Sequence, residues 1–88
     1  MNNLTRIDLG SLKVNGSTYR VEKVTNGVDQ NTFLIGPRGG RYYLSLFERP
    51  LWGVYSLATG RPLTNRKGEQ VHVEVKGSSV DQMRVTYL

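Results

Sequence analysis

The side chains best suited to bind an anion are concentrated in one stretch, residues 36–68. This stretch holds six basic residues and one acid, Glu48, whereas the rest of the 88-residue chain holds six of each. The formal net charge of +5 therefore arises here. Arginine binds phosphate or carboxylate through two parallel hydrogen bonds, so such a stretch suits an acidic partner. The basic candidates for binding are Arg38, Arg41, Arg49, Arg61, Arg66 and Lys67.

Aromatic side chains are interleaved with these cations. Tyr42, Trp52 and Tyr55 are the candidates for stacking on nucleic-acid bases, because single-strand binders combine charge along the backbone with rings against the bases. Tyr43 and Phe47 are expected in the core, since a small β domain needs large side chains to fill its interior. Tyr42 and Tyr43 are adjacent on one predicted strand and should point to opposite faces. At most one of them can lie in the core of a simple two-faced sheet.

Two loops in this stretch present most of the cations. Residues 36–40, GPRGG, form a predicted hairpin tip whose glycines let the backbone approach a phosphate. Residues 59–68 carry Arg61, Arg66 and Lys67 with no acid among them. An equally simple interpretation is that both loops are solvated turns that favour solubility. Joint binding requires the two loops to lie together, which the sequence leaves open.

Enzymatic chemistry has little support in the sequence. The chain has one histidine, His72, and no cysteine, so a cysteine nucleophile and a cysteine-ligated zinc site are excluded. His72 alternates with Val71 and Val73, which predicts an outward, solvated position on a strand. The seven acids are scattered, and GPRGG lacks the Lys-Ser/Thr ending of a phosphate-binding P-loop. We therefore predict a protein that is not an enzyme and has no catalytic residue, metal or cofactor.

Short alternating segments separated by glycine-containing turns predict an all-β fold. Asn15-Gly16 predicts a type I′ turn within a hairpin. Ser79 and Gln82 have the spacing of a capping box, which leaves either one turn of helix or an extended loop at that point. The expected architecture is one domain over residues 1–88, either a small β-barrel of SH3-like or OB-like size or a compact sandwich. It would have about six to seven short antiparallel strands and at most one short helical turn.

The most direct functional interpretation is a nucleic-acid-binding module that contacts mainly phosphates. Because Arg, Tyr and Trp are also common hot spots of protein interfaces, the alternative is a protein-interaction module or inhibitor, of phage or mobile-element type, that docks on an acidic protein surface. A third interpretation is a homo-oligomer formed through an edge strand at residues 83–88. No apolar run has membrane-spanning length, and the absence of cysteine fits a reducing compartment. We therefore expect a cytoplasmic protein without a membrane partner.

Overall fold

The computed structural model describes residues 3–88 as one antiparallel sheet whose seven strands follow each other in sequence order. The sheet curls into a half-barrel, and the one helical segment within residues 3–88 is a single 3-10 turn. The predicted all-β class, strand number and short helical turn are therefore confirmed. The strands are β1 (Thr5–Val14), β2 (Ser17–Thr25), β3 (Gln30–Ile35), β4 (Arg41–Glu48), β5 (Leu51–Ser56), β6 (Val71–Val75) and β7 (Met83–Tyr87), and the 3-10 turn is Val80–Gln82.

The β1–β2 hairpin has the tight turn that its Asn-Gly pair predicts. Asn15 and Gly16 have φ angles of 53° and 78°, which are the left-handed values of a type I′ turn. The Asn26-Gly27 pair between β2 and β3 makes a different turn. There the Asn26 side-chain oxygen accepts hydrogen bonds from the N–H groups of Val28 and Asp29. The two turns differ because four residues, rather than two, connect the second pair of strands.

The core lies on the inner, concave face of the curled sheet. Val21 on β2 pairs with Leu34 on β3, and Leu34 pairs with Tyr42 on β4, so these three side chains share that face. Burying a valine or leucine side chain contributes about 1.5–3 kcal/mol to folding, which makes this face the main source of stability. The buried apolar residues are Val14, Tyr19, Val21, Leu34, Val54, Val71 and Val73.

Strand β4 points Tyr42 inward and Tyr43 outward, which confirms the predicted opposition of the two rings. Tyr42 packs against the core, with its ring centroid 5.7 Å from that of Tyr19. The prediction that Tyr43 and Phe47 lie in the core is wrong, because both are on the outer face and Phe47 is 60% exposed. Both faces of β4 are largely apolar, so its own sequence does not mark the inward one. The inward face of β4 is the one that carries Tyr42, because Tyr42 pairs with the fully buried Leu34.

His72 is directed outward as predicted, but the prediction that it is solvated is wrong. It is only 5% exposed, because the Phe47 ring lies against it with a centroid distance of 5.1 Å. Its Nδ1 lies 3.1 Å from the carbonyl oxygen of Gln70. The valine alternation gives the direction of the side chain correctly. The Phe47 ring that shields His72 from solvent belongs to β4. This strand lies near β6 only in the folded sheet, where β5 is between them.

Of the two alternatives for residues 79–82, the helical turn is the one that forms. The Ser79 N–H and hydroxyl donate to the Gln82 side-chain oxygen at 3.5 and 3.2 Å. The turn carries Val80 over Gly10 of β1, where a Cβ atom would lie 2.9 Å from the Val80 Cγ1. Glycine at position 10 therefore makes room for the 3-10 turn against the first strand.

The connections between strands alternate between the two ends of the sheet, because each strand runs antiparallel to its neighbours. The connections at one end, which we call the tip end, are residues 15–16, 36–40 and 57–70. The connections at the opposite end, the far end, are residues 26–29, 49–50 and 76–82. This alternation decides which loops come together.

Candidate binding surface

The two loops whose proximity the sequence left open both lie at the tip end. The Leu57 N–H donates to the Arg41 carbonyl oxygen at 2.9 Å, which joins the 57–70 connection to the strand that leaves the 36–40 tip. The Asn15 side chain donates to the Thr64 carbonyl oxygen at 3.2 Å, which joins the same connection to the β1–β2 turn. These loops form one surface, the tip-end surface. Its exposed cations are Lys13, Arg38, Arg41, Arg61, Arg66 and Lys67.

Arg66 and Lys67 occupy the apex of a turn that Asn65 holds in shape. The Asn65 side-chain oxygen accepts hydrogen bonds from the N–H groups of Lys67 and Glu69 at 3.0 and 2.9 Å. The Asn65 side-chain nitrogen donates to the Glu69 carboxylate at 2.9 Å, so the one acid of the three tip-end connections is engaged by Asn65. The apex is thereby ordered before a ligand arrives, which reduces the entropy lost on binding.

Ion pairing distinguishes Arg41 from the other cations of the tip-end surface. The guanidinium groups of Arg41 and Arg6 each lie 3.5 Å from the carboxylate of Glu22. Within residues 3–88, the remaining tip-end cations have no ion-pair partner, namely Lys13, Arg38, Arg61, Arg66 and Lys67. These five can bind an anion without first breaking a contact with a carboxylate.

The acids are concentrated away from this surface. Those in or beside the far-end connections are Asp29, Glu48, Glu74 and Asp81. The predicted candidate Arg49 also lies at the far end, in the β4–β5 turn next to Glu48. A six-residue strand such as β5 is about 20 Å long, so Arg49 is separated from the other predicted cations by roughly that distance. The structure therefore brings five of the six predicted basic residues together and leaves Arg49 out.

Trp52 and Tyr42 both lie on the inner face, but only Tyr42 is near the tip-end cations, where it lines a pocket with Arg38. Trp52 is half-buried and lines a cleft of about 120 Å³ together with Leu44, Val75 and Met83. Tyr42 is also half-buried and packs on Tyr19, whose phenol pKa is raised first by burial and then by the Tyr42 hydroxyl. Trp52 is therefore remote from the tip-end arginines, whereas Tyr42 lies beside Arg38 with its ring packed against the core.

The outer face carries a different set of rings, of which only Tyr55 was among the predicted stacking residues. Phe33, Tyr43 and Tyr55 are successive cross-strand partners on β3, β4 and β5, and we call them the aromatic row. The rings of Tyr43 and Tyr55 are stacked, with centroids 5.7 Å apart and planes 24° apart. The length of the 36–40 tip sets Phe33 opposite Tyr43. Given that register, Phe33 and Tyr43 could have been found from the sequence.

Metal ligands and the single histidine were the remaining residues that could do chemistry. Residues 3–88 contain no cluster of three or more His, Cys, Asp or Glu side chains that could hold a metal ion. The imidazole of His72 is buried beneath Phe47, with its Nδ1 against a backbone carbonyl. In the same range, no helix has the length and apolar character needed to cross a membrane.

Comparisons with known proteins identify no family for the chain. No family model matches it, and searches of curated proteins and of solved structures give no significant match. Its function must therefore be inferred from the charges and rings that the fold brings together.

Proposed function

We propose that this protein is a non-enzymatic nucleic-acid-binding module that contacts phosphates through its tip-end surface. The observation that carries the proposal is the convergence of the 36–40 tip and the 57–70 connection at one end of the sheet. Together with Lys13 they present exposed cations without ion-pair partners in the described chain, while four acids lie at the opposite end. A nucleic-acid backbone is a row of closely spaced anions, and this polarised arrangement is complementary to it.

Binding through phosphates makes a quantitative prediction about salt. Each neutralised phosphate adds about 0.7–0.9 to the slope of log affinity against log salt, because condensed counterions are released. About four contacts would give a slope of about −2.8 to −3.6. Affinity would then fall roughly 50- to 150-fold between about 50 and 200 mM salt.

The test is fluorescence anisotropy with labelled single-stranded and duplex DNA and RNA at these two salt concentrations. Arg38→Ala and Arg66→Ala should each weaken binding and reduce the steepness of the salt slope by about 0.7–0.9, since each removes one phosphate contact. Arg49→Ala is the matched control, because it removes the same charge from an exposed arginine at the far end. We expect its affinity and slope to stay close to those of the wild type.

Three results would contradict the proposal. One is an unchanged slope in both Arg38→Ala and Arg66→Ala. Another is an equal change in Arg49→Ala, which would show that only net charge matters. The third is a wild-type protein that binds no oligonucleotide at low salt, which would favour the alternative of docking on an acidic protein surface.

A further inference from the structure

We infer that the ligand of the tip-end surface is a single-stranded nucleic acid whose bases stack on the aromatic row, Phe33, Tyr43 and Tyr55. This inference rests on the proposed function and adds to it the strand type and the residues that hold the bases. It differs from the pattern expected from the sequence, in which Tyr42 and Trp52 would have stacked, because both of those rings are on the inner face.

The aromatic row lies on a sheet face that carries no other layer. All the strands of the described chain belong to one sheet, and its 3-10 turn packs on β1, so no helix or second sheet of residues 3–88 covers the outer face of β3–β5. The core is on the opposite face. The three rings are half-buried, so each keeps part of its surface accessible on this face. Apolar surface that stays accessible on a face without a second layer commonly marks a binding site.

Small residues lie beside the row, and one of them, Gly53, lets the Tyr55 ring pack closely against the sheet. The ring of Tyr55 lies over Gly53, where a Cβ atom would be 2.8 Å from the Tyr55 Cε1. The cross-strand partner of Gly53 is Ser45, which also has a small side chain. Beyond them, Phe47 is 60% exposed and extends the apolar surface toward the far end. Stacking on such rings is worth about 1–3 kcal/mol per base and is available to every base.

Arginines lie between the aromatic row and the tip end. Arg20, Ile35 and Arg41 are cross-strand partners one step nearer the tip end than the row. Arg20 and Arg41 are ion-paired, with Asp8 and Glu22 respectively, so the free cations nearest the row are in the loops. Arg61 is one of these, because the adjacent Pro62 forms a bridge with Tyr55.

This order of rings and cations fits a single strand better than a duplex. A single strand can place its bases on the row while its phosphates continue to the tip-end cations. A duplex keeps its bases paired and stacked on each other, so the rings would gain no base contact. Charge complementarity at the tip end and the half-buried rings on the outer face beside it therefore point to the same ligand.

The test compares a labelled single-stranded oligonucleotide of about 12 uridines with a duplex of equal length, by fluorescence anisotropy at two salt concentrations. The wild type should prefer the single strand. Tyr43→Leu should weaken single-strand binding by at least about fivefold with an unchanged salt slope, because a stack is lost and no charge is removed. Tyr43→Phe is the matched control, since it keeps the ring and should retain most of the affinity.

A second measurement does not depend on a folded variant. Ultraviolet crosslinking of the wild type to oligonucleotides that contain 5-iodouridine, followed by mass spectrometry, should yield adducts on Phe33, Tyr43 or Tyr55. Adducts on Trp52 instead would overturn the inference. The stacking inference would also be overturned if Arg38→Ala weakens binding while Tyr43→Leu does not. That result would leave the proposed function intact. A wild type that binds neither oligonucleotide at low salt would overturn both.

Discussion

At the scale of single residues, the acids of β1 and β2 are paired locally with arginines of the sheet. Glu22 is mostly shielded from solvent and lies 3.5 Å from both Arg6 and Arg41. Asp8 accepts a hydrogen bond of 2.9 Å from the Gly10 N–H and forms an ion pair with Arg20. These contacts neutralise the two acids of β1 and β2, so neither leaves an unpaired negative charge beside the aromatic row.

The Asp8 contacts predict a pH dependence of stability. The pKa of the Asp8 carboxyl is lowered, first by the Gly10 N–H and then by Arg20. A group with a depressed folded-state pKa stabilises the fold above its ordinary pKa of 3.8, and this contribution is lost as the pH falls through the lower folded-state value. Asp8→Asn should therefore be less stable than the wild type near neutral pH, and the difference should shrink in strong acid.

Urea unfolding of both proteins at about pH 7 and about pH 2 measures this difference. Arg20→Ala provides a companion variant, because the Gly10 N–H, which is the larger cause, remains in place. It should show only part of the pH dependence. A gap between Asp8→Asn and wild type that is equal at both pH values would refute the prediction.

At the scale of elements, the β1–β2 turn connects parts of the molecule that lie far apart in sequence. The Asn15 N–H donates to the Tyr87 hydroxyl at 2.9 Å, and its side chain donates to the Thr64 carbonyl oxygen at 3.2 Å. These bonds link β1 to β7, the two edge strands of the half-barrel, and to the basic 57–70 connection. A two-residue turn thus helps both to close the sheet's open side and to shape the tip-end surface.

Substitutions of Asn15 should separate its backbone role from its side-chain role. Asn15→Ala forces a Cβ-bearing residue without a side-chain amide into positive φ, which costs about 1–3 kcal/mol, and also loses the bond to Thr64. Asn15→Gly accepts the φ angle and loses only that bond, worth about 0.5–1.5 kcal/mol. Urea unfolding should give the highest free energy of unfolding for the wild type, a lower one for Asn15→Gly and the lowest for Asn15→Ala. Equal losses in both variants would show that the φ angle is not the cause.

At the scale of the whole molecule, the fold polarises charge along the strands. Basic residues meet at the tip end because residues 36–40 and 57–70 are separated in the chain by a full hairpin, which returns the backbone to the same end. Acids collect in or beside the far-end connections by the same alternation. The chain has a net charge of +5, but a polyanion approaching the tip end meets a local charge that is more positive than this average suggests.

This polarity predicts a role for a residue outside the basic stretch. Lys13 is exposed beside the β1–β2 turn and belongs to the tip-end surface, although the residues outside 36–68 together contribute no net charge. Lys13→Ala should weaken oligonucleotide binding and reduce the steepness of the salt slope by up to about 0.7–0.9. The matched control is Lys76→Ala at the far end, where the ammonium group lies 3.4 Å from Glu74. Anisotropy titrations should show little change for Lys76→Ala, and an equal effect of both variants would contradict the predicted polarity.

The sequence was sufficient where a structural property depends on neighbouring residues. The Asn15-Gly16 turn and the opposition of Tyr42 and Tyr43 follow from local φ preferences and the two-residue period of a strand. The all-β class follows from the same local signals. These are short-range effects, and each was correctly predicted without knowledge of the fold.

Only the tertiary structure decided which face of β4 is inside and which loops meet. Tyr43 and Phe47 have the composition of core residues, yet they lie outside because the buried Leu34 pairs with Tyr42. Arg49 belongs to the basic stretch in sequence, yet strand alternation carries it to the end opposite Arg38 and Arg66. Which face of the sheet is buried and which loops meet depend on contacts between residues far apart in the chain, and no local pattern in a single sequence specifies them.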